Sequence, residues 1–244
     1  MAKDLRVVLE IGPNEKKVAA VAPDWPGLER GAKTKEDAVE KLQSYLPRFA
    51  PVAMLAGMGA RFPSIKGVDV VEEYRGIGST DFWGISFAFS SIDNQVVSKK
   101  ELDRELTLMR ACWTFFDDVR SRVSAEMRKG PRGGGRDRDR IVLHTCAPEQ
   151  DWARKVGVRT PDGEVVTDGK GLETFRAEYC SAIRAFHAEG KMALLAAPVP
   201  DSPHCVSHDG SRLGDGRQRS EQVTWANWLA KGRELVGFGF STTF

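Results

Sequence analysis

The feature that most constrains the fold is a long stretch of helical periodicity in the middle of the chain. From Lys99 onward, apolar side chains recur at the spacing of one helix face for roughly seven turns, until Gly130 and Pro131 end the pattern. The residues on this face are Leu102, Leu106, Met109, Trp113, Phe116 and Val123. Because such a face must be buried against other elements, the pattern predicts a helical core in this part of the chain.

Two more helical segments follow the long one. The first spans about residues 137–156, and the second carries an apolar face that Gly190 closes. This second face comprises Leu172, Phe175, Tyr179, Ile183 and Phe186. Antiparallel helices joined by loops of this length are the usual components of a four-helix bundle.

A glycine- and arginine-rich run, "GPRGGGRDRDR", separates the first two of these helices. Six basic residues lie between Arg128 and Arg140, and such runs can bind single-stranded nucleic acid. Three consecutive glycines also let the chain reverse, and Asp137 suits a helix start because its carboxylate can cap exposed N–H groups. We therefore favour an inter-helix loop, and nucleic-acid binding ranks lowest among the functions considered.

The N-terminal part of the chain combines strand and helix patterns. "LRVVLEI" and "KKVAAVA" are β-rich runs joined by the turn sequence "GPNE". After the loop "PDWPG", Thr34 can cap a helix that places Ala38 and Leu42 on one face, and Pro47 is expected to end it. "VDVVEEYRG" is a candidate for the remaining strand.

The segment "VAAVAPDWPGLERGAKTKEDAVEKL" resembles the HicB-like antitoxin family, in which a strand ends in Ala-Pro-Asp-x-Pro-Gly and a glycine strand precedes a capped helix. The resemblance implies a small β-β-α-β sheet with the helix packed on one face. In that family the domain usually binds a toxin partner, and an appended segment supplies DNA binding. Because the sequence shows no helix-turn-helix or ribbon arm, we favour a packing or dimerisation module here.

Residues 77–98 form a connector that alternates glycine with aromatic residues. Phe82, Trp83, Phe87 and Phe89 are expected to fill the space between two domains, because no basic residues are interleaved with the rings as on a base-stacking surface. The formal net charge of +2 gives the whole molecule no polyanion-binding signature. The sequence has no membrane-spanning run and no signal-peptide pattern, so a cytoplasmic protein is expected.

His144 lies on the second helix of the bundle. The apolar residues that would share its face are Ile141, Pro148 and Trp152. This face predicts that His144 points inward, where an imidazole needs a hydrogen bond or a metal ion. A hydrogen-bonded core histidine and a metal ligand are the two interpretations. Glu149 and Asp151 are close enough in sequence to accept from the ring and fix its tautomer.

The segments "ACWTFFDDVRSRV" and "MRKGPRGGGRDRDRIVLHTCAPEQDWARKVGVR" are similar to the DinB-like superfamily. More narrowly, they are similar to uncharacterised actinobacterial members that join a HicB-like start to a DinB-like bundle. It implies a divalent metal ion, nickel or zinc, held by one histidine of the second helix and two of the fourth. His144 matches the second-helix position. Some members are thiol-dependent transferases or isomerases, in which a metal-bound thiolate attacks an electrophile.

His204 and His208 are the candidates for the two remaining ligands, because a spacing of four places both on one helix face. However, Pro203 before the pair and Asp209-Gly210 after it favour a loop. This region therefore departs from the family's pattern, and a shifted reading frame or a diverged terminus would explain the departure.

Together the patterns predict an α+β protein. A small β-β-α-β sheet domain at residues 1–76 would be followed by a connector at 77–98 and a mostly antiparallel DinB-like helical bundle at 99–244, irregular at its end. The predicted function is metal-dependent, as a thiol-dependent transferase or isomerase or as a hydrolase, or a degenerate remnant of one. The alternative is a non-catalytic interaction module of HicB antitoxin type. Expected partners are a low-molecular-weight thiol, a partner protein or a second copy of the chain, but not nucleic acid or a membrane.

Overall fold

Four strands and six α-helices make up the part of the chain that the computed structural model describes, which is residues 4–60, 62, 67–127 and 135–190. The strands are β1 (Leu5–Ile11), β2 (Val18–Val21), β3 (Glu29–Ala32) and β4 (Val68–Arg75). The helices are α1 (Lys35–Ser44), α2 (Leu46–Leu55), α3 (Gly78–Trp83), α4 (Lys99–Arg122), α5 (Arg138–Ala153) and α6 (Gly169–Ala188). The protein is therefore of the predicted α+β class. Within the ranges described, no helix is both long and apolar enough to cross a membrane.

The strands form one mixed sheet in the order β3-β2-β1-β4, with β1 antiparallel to β2 and parallel to β4. One face of β1 carries Leu5, Val7 and Leu9, which share an apolar core with α1 and α2. The predicted β-β-α-β order has one strand fewer before the helix than the structure, in which the glycine-containing β3 is a separate short strand. The observed order up to β4 is β-β-β-α-α-β.

Two local signals set the ends of the first helices. The Thr34 hydroxyl accepts a hydrogen bond from the N–H of Asp37 at 3.1 Å, so the predicted N-cap of α1 is confirmed. Pro47 was expected to end this helix, but it lies in the first turn of α2, where a missing N–H costs no helical hydrogen bond. The chain therefore continues as a second helix, whose Phe49 and Val52 enter the same core.

The longest helix, α4, belongs to two apolar cores. Leu108, Ala111 and Cys112 pack into the core shared with the sheet and α2. Five residues of the predicted apolar face are buried on the helical side: Leu102, Leu106, Met109, Trp113 and Phe116. The sixth, Val123, is half-buried and is the C-cap residue, because the helix ends at Arg122, earlier than predicted. The helix starts at a capping box, in which Ser98 and Glu101 each accept from the other's backbone N–H. The sheet and the helical layer are thus joined by a common element.

The helices α5 and α6 complete the described helical layer. The predicted apolar face of α6 packs in one core with α4 and the end of α5. As predicted, α5 begins directly after Asp137. The Asp137 carboxylate makes no hydrogen bond that caps α5, and instead accepts from the N–H of Met127 at 3.2 Å. This bond links the start of α5 to the segment that follows α4.

The connector between β4 and α4 does not fill a gap with aromatic rings as predicted. Phe82 and Trp83, at the end of α3, are 67% and 60% exposed. Phe87 and Phe89 are half-buried. The connector is held to the sheet by polar contacts. The spacing of its aromatic residues in the sequence therefore did not predict how it packs.

Candidate functional site

His144, predicted to point inward, lies on the exposed side of α5. Its neighbour Leu143 is 49% exposed. The buried side of α5 consists of Val142, Thr145, Cys146, Glu149, Gln150 and Ala153. The inward prediction is therefore wrong, because polar side chains occupy half of the buried positions and the apolar residues alone do not mark the inner face.

The electrostatic setting of His144 favours the neutral imidazole. Partial desolvation and the positive charge of Arg136 lower the pKa of His144 from its usual value. A neutral ring offers a nitrogen lone pair to a metal ion or to a proton donor, and a protonated ring does not. An exposed, neutral histidine is chemically suited to serve as one ligand of a metal ion.

The structure does not bring Glu149 or Asp151 next to His144. At about 100° per residue, Glu149 lies roughly 140° around the helix from His144, on the buried side. Asp151 is on nearly the same side as His144, but about 10 Å farther along the axis. Its carboxylate pairs with Arg154 at 3.0 Å. The predicted role of these two carboxylates in orienting the imidazole thus gains no support from their positions.

His204 and His208, the other predicted metal ligands, lie outside the described residues, as does the predicted irregular end of the bundle. Within residues 4–60, 62, 67–127 and 135–190, no group of three or more histidine, cysteine, aspartate or glutamate side chains is arranged to hold a metal ion. His144 is consequently the one predicted ligand whose position is known.

Glu149 lies in the interior of the helical layer and is 5% exposed. Loss of solvation raises the pKa of Glu149 to about 7, although the charge of Arg176 and a hydrogen bond from Trp113 lower it, and Asp117 raises it further. Burial, together with the charge of Glu149, raises the pKa of Cys146 to about 12. The interior of this layer therefore holds a proton-binding carboxyl group, and the Cys146 thiol stays protonated at neutral pH.

The charged residues near Glu149 join α4 to α6. Arg176 of α6 forms an ion pair with Asp117 of α4, and Arg120 reaches the same carboxylate at 3.1 Å. The Arg176 guanidinium also lies over the Trp113 ring, 5.0 Å from its centroid. This network was not found from the sequence, because its members are separated by up to 63 residues and no local motif connects them.

A second buried carboxylate, Glu10 of β1, fastens the connector to the sheet. Glu10 is fully buried and accepts from three hydroxyls and two backbone N–H groups. The donors are the hydroxyls of Tyr74, Thr80 and Ser86 and the N–H groups of Phe87 and Ala88. Burial raises the pKa of Tyr74, so its hydroxyl keeps the donated proton. The sequence signal for this site is an acidic residue inside the apolar run "VVLEI".

Asp81 of α3 organises the turn between β1 and β2. Its carboxylate accepts from the backbone N–H groups of Asn14, Lys16 and Lys17. In return, the Lys17 ammonium group donates to the carbonyl oxygen of Phe82. The turn and α3 are therefore one structural unit, although 65 residues separate Lys17 from Phe82.

Comparison of the chain with protein-family models, with curated proteins and with solved structures gave no match in any of the three cases.

Proposed function

We propose that the chain is a metal-dependent protein of the DinB-like type, or a degenerate remnant of one, with His144 as a ligand of a nickel or zinc ion. The observation that carries the proposal is an exposed imidazole with a lowered pKa on the helix that follows the "GPRGGGRD" run. The common core of α4, α5 and α6 is compatible with a bundle of this type. His204 and His208 are the proposed further ligands.

A divalent ion held at His144 would lower the pKa of a coordinated thiol or water and so supply a nucleophile at neutral pH. The role of this chain is to present the imidazole in its neutral form, which partial desolvation and Arg136 favour. A low-molecular-weight thiol is the proposed co-substrate for transfer or isomerisation. Water would replace the thiol in a hydrolase.

Metal content of the purified chain, measured by plasma mass spectrometry, tests the proposal directly. We expect near-stoichiometric nickel or zinc in the original chain and its loss in a His144→Ala variant. His187→Ala is the matched control, because His187 lies near the end of α6 with its Nε2 2.8 Å from the carbonyl oxygen of Val97. A chain that stays free of metal after incubation with both ions would contradict the proposal.

The free edge of the sheet favours a second candidate function, that of an interaction module of HicB type. β4 is an eight-residue edge strand, and its outer edge makes no backbone hydrogen bond to any other described residue. Val70 and Val71 on this strand are each 41% exposed. An unpaired strand edge with exposed apolar residues can add a strand from a partner protein or a second copy of the chain.

Site-specific photo-crosslinking in cells distinguishes this second function. A crosslinking amino acid in place of Val71 should give a discrete adduct, identified by mass spectrometry as a partner protein or a second copy. The same substitution at Val96, which is almost fully exposed but lies outside the sheet, is the control. Equal yields of heterogeneous adducts at both positions would argue against a partner at β4.

A further inference from the structure

The end of the sheet near the β1–β2 turn carries two exposed aromatic rings beside basic side chains. The ring centroids of Phe82 and Trp83 are 4.6 Å apart, with an interplanar angle of 84°. The side chain of Lys17 passes next to Gly84 and ends at the carbonyl oxygen of Phe82. The tertiary structure thus places a cation beside rings whose neighbours in sequence are uncharged or acidic.

Further basic side chains lie at this end of the sheet, where Lys35 is paired with Glu73. Lys16 is exposed in the same turn, and the guanidinium of Arg75, at the end of β4, lies 3.5 Å from the carbonyl oxygen of Pro13. The carboxylate of Asp81 is directed at the N–H groups of the turn. Within the turn itself, Glu15 is the exposed acidic residue.

We propose that the surface formed by Lys16, Lys17, Arg75, Phe82 and Trp83 binds single-stranded nucleic acid. More than half of each ring residue is exposed, so the rings stand out from the surface and offer faces on which planar bases can stack. Lys16, Lys17 and Arg75 supply the positive charge that would contact the phosphates of the bound strand. An acidic peptide would match the charge, but it would leave the ring faces without planar partners.

This proposal is independent of the metal chemistry proposed for the helical layer, because the two surfaces share no residue. It also differs from the low-ranked expectation that the run from Arg128 to Arg140 binds nucleic acid. The sequence argues against stacking on Phe82 and Trp83 because no basic residues are interleaved with the rings. The structure supplies those cations from the β1–β2 turn and the end of β4.

The three cations and two rings predict how the affinity should depend on salt concentration and on base sequence. Each phosphate contact with a single strand contributes about −0.7 to the slope of log affinity against log salt concentration, so three contacts give a slope of about −2. Affinity should depend little on base sequence, because every base has a face that can stack. Binding is expected to be weak at physiological salt and readily measured at low salt.

Fluorescence anisotropy with labelled oligothymidylate and oligouridylate of about 12 nucleotides tests the proposal on the full chain. Phe82→Ala combined with Trp83→Ala should lower the affinity at least about tenfold. Lys16→Ala should reduce the salt slope by about 0.7. The control is Met54→Ala combined with Leu55→Ala, which removes two other exposed apolar side chains, on α2, and should leave the affinity unchanged. Circular dichroism checks that each variant is folded.

Three results would overturn the proposal. The first is no binding by the original chain at low salt. The second is equal affinity for oligoglutamate of the same length, which would mean that the surface responds to charge alone. The third is binding that survives the loss of both rings but disappears when Arg136 and Arg140 are replaced by alanine, which would assign the activity to the inter-helix run.

Discussion

Two carboxyl groups, Glu10 and Glu149, are buried, and the structure compensates for their loss of hydration in different ways. Glu10 is surrounded by hydroxyl and N–H donors, which replace the hydrogen bonds that water would make. Glu149 has fewer favourable contacts, and its pKa rises to about 7. Replacing the first should therefore cost stability, whereas replacing the second should change how stability depends on pH.

Glu149→Gln should flatten the pH dependence of stability between about pH 5 and pH 8. The pKa of Glu149 is about 7 in the folded chain and 4.5 ordinarily, so the folded state binds the proton more tightly. The stability that Glu149 gains from its tighter proton binding is fully present below pH 4.5 and is lost as the pH rises through 7. The loss in the free energy of unfolding is at most about 3 kcal/mol. Urea denaturation at both pH values measures this change.

Glu173→Gln, on an exposed position of α6, is the matched control for this experiment. It should keep the pH dependence of the original chain. If Glu149→Gln lost stability over the same pH interval by the same amount as the control, the proton would be bound elsewhere.

Glu10→Ala should destabilise the chain by about 3 kcal/mol or more, because it leaves several buried and half-buried donors without an acceptor. Glu40→Ala, on an exposed position of α1, should change the free energy of unfolding by less than about 0.5 kcal/mol. Equilibrium denaturation gives both values. A loss below 1 kcal/mol for the Glu10 variant would mean that water can replace the carboxylate.

Elements were predictable from the sequence where apolar periodicity alone decides burial. This is so for α4 and α6, whose buried faces are almost entirely apolar. It fails for the face of α5, because Thr145, Glu149 and Gln150 are buried there, so His144 was placed on the wrong side. The contacts that bury these polar groups come from distant segments, as when Gln150 bonds both backbone groups of Val166. These contacts cannot be predicted from the local sequence pattern.

β3 is likewise defined by a distant contact and not by its own sequence. A Cβ atom on Gly31 would lie 1.8 Å from the carbonyl oxygen of Gly84, so the strand and the connector approach each other only because Gly31 has no side chain. Gly31→Ala should therefore displace backbone and destabilise the chain by about 2 kcal/mol or more. Thermal and denaturant unfolding measure the loss.

Gly78→Ala is the control for Gly31→Ala, since the added methyl group would meet nothing within 4 Å. Gly78 is the first residue of α3, where alanine is also the better helix former. A small gain or no change in stability is expected. Equal losses for the two variants would show that the contact with Gly84 does not determine the effect.

At the scale of the whole molecule, α4 couples the sheet to the helical layer. Because α4 contributes to both cores, the two parts should unfold together. Leu108→Ala, on the sheet side of α4, should cost about 2–5 kcal/mol and speed amide exchange in β1 and in α6 alike. Mass-spectrometric hydrogen exchange compares the two regions.

Thr107→Ala, an exposed position one residue away, is the control and should leave exchange unchanged in both regions. If exchange rose in β1 while α6 kept its protection, the two cores would open separately. In that case α4 would join two units that are thermodynamically independent.

The hydrogen bonds of Glu10 also bear on the order in which the chain can mature during synthesis. Its hydrogen-bond donors follow it in the sequence by 64 to 78 residues. Glu10 therefore leaves the ribosome long before the groups that donate to its carboxylate. A nascent sheet must therefore hold the Glu10 carboxyl group without its hydrogen-bond donors until the connector has been synthesised. We expect protease resistance of stalled nascent chains to appear only once Ala88 has emerged, and resistance at shorter lengths would show that the sheet matures without the connector.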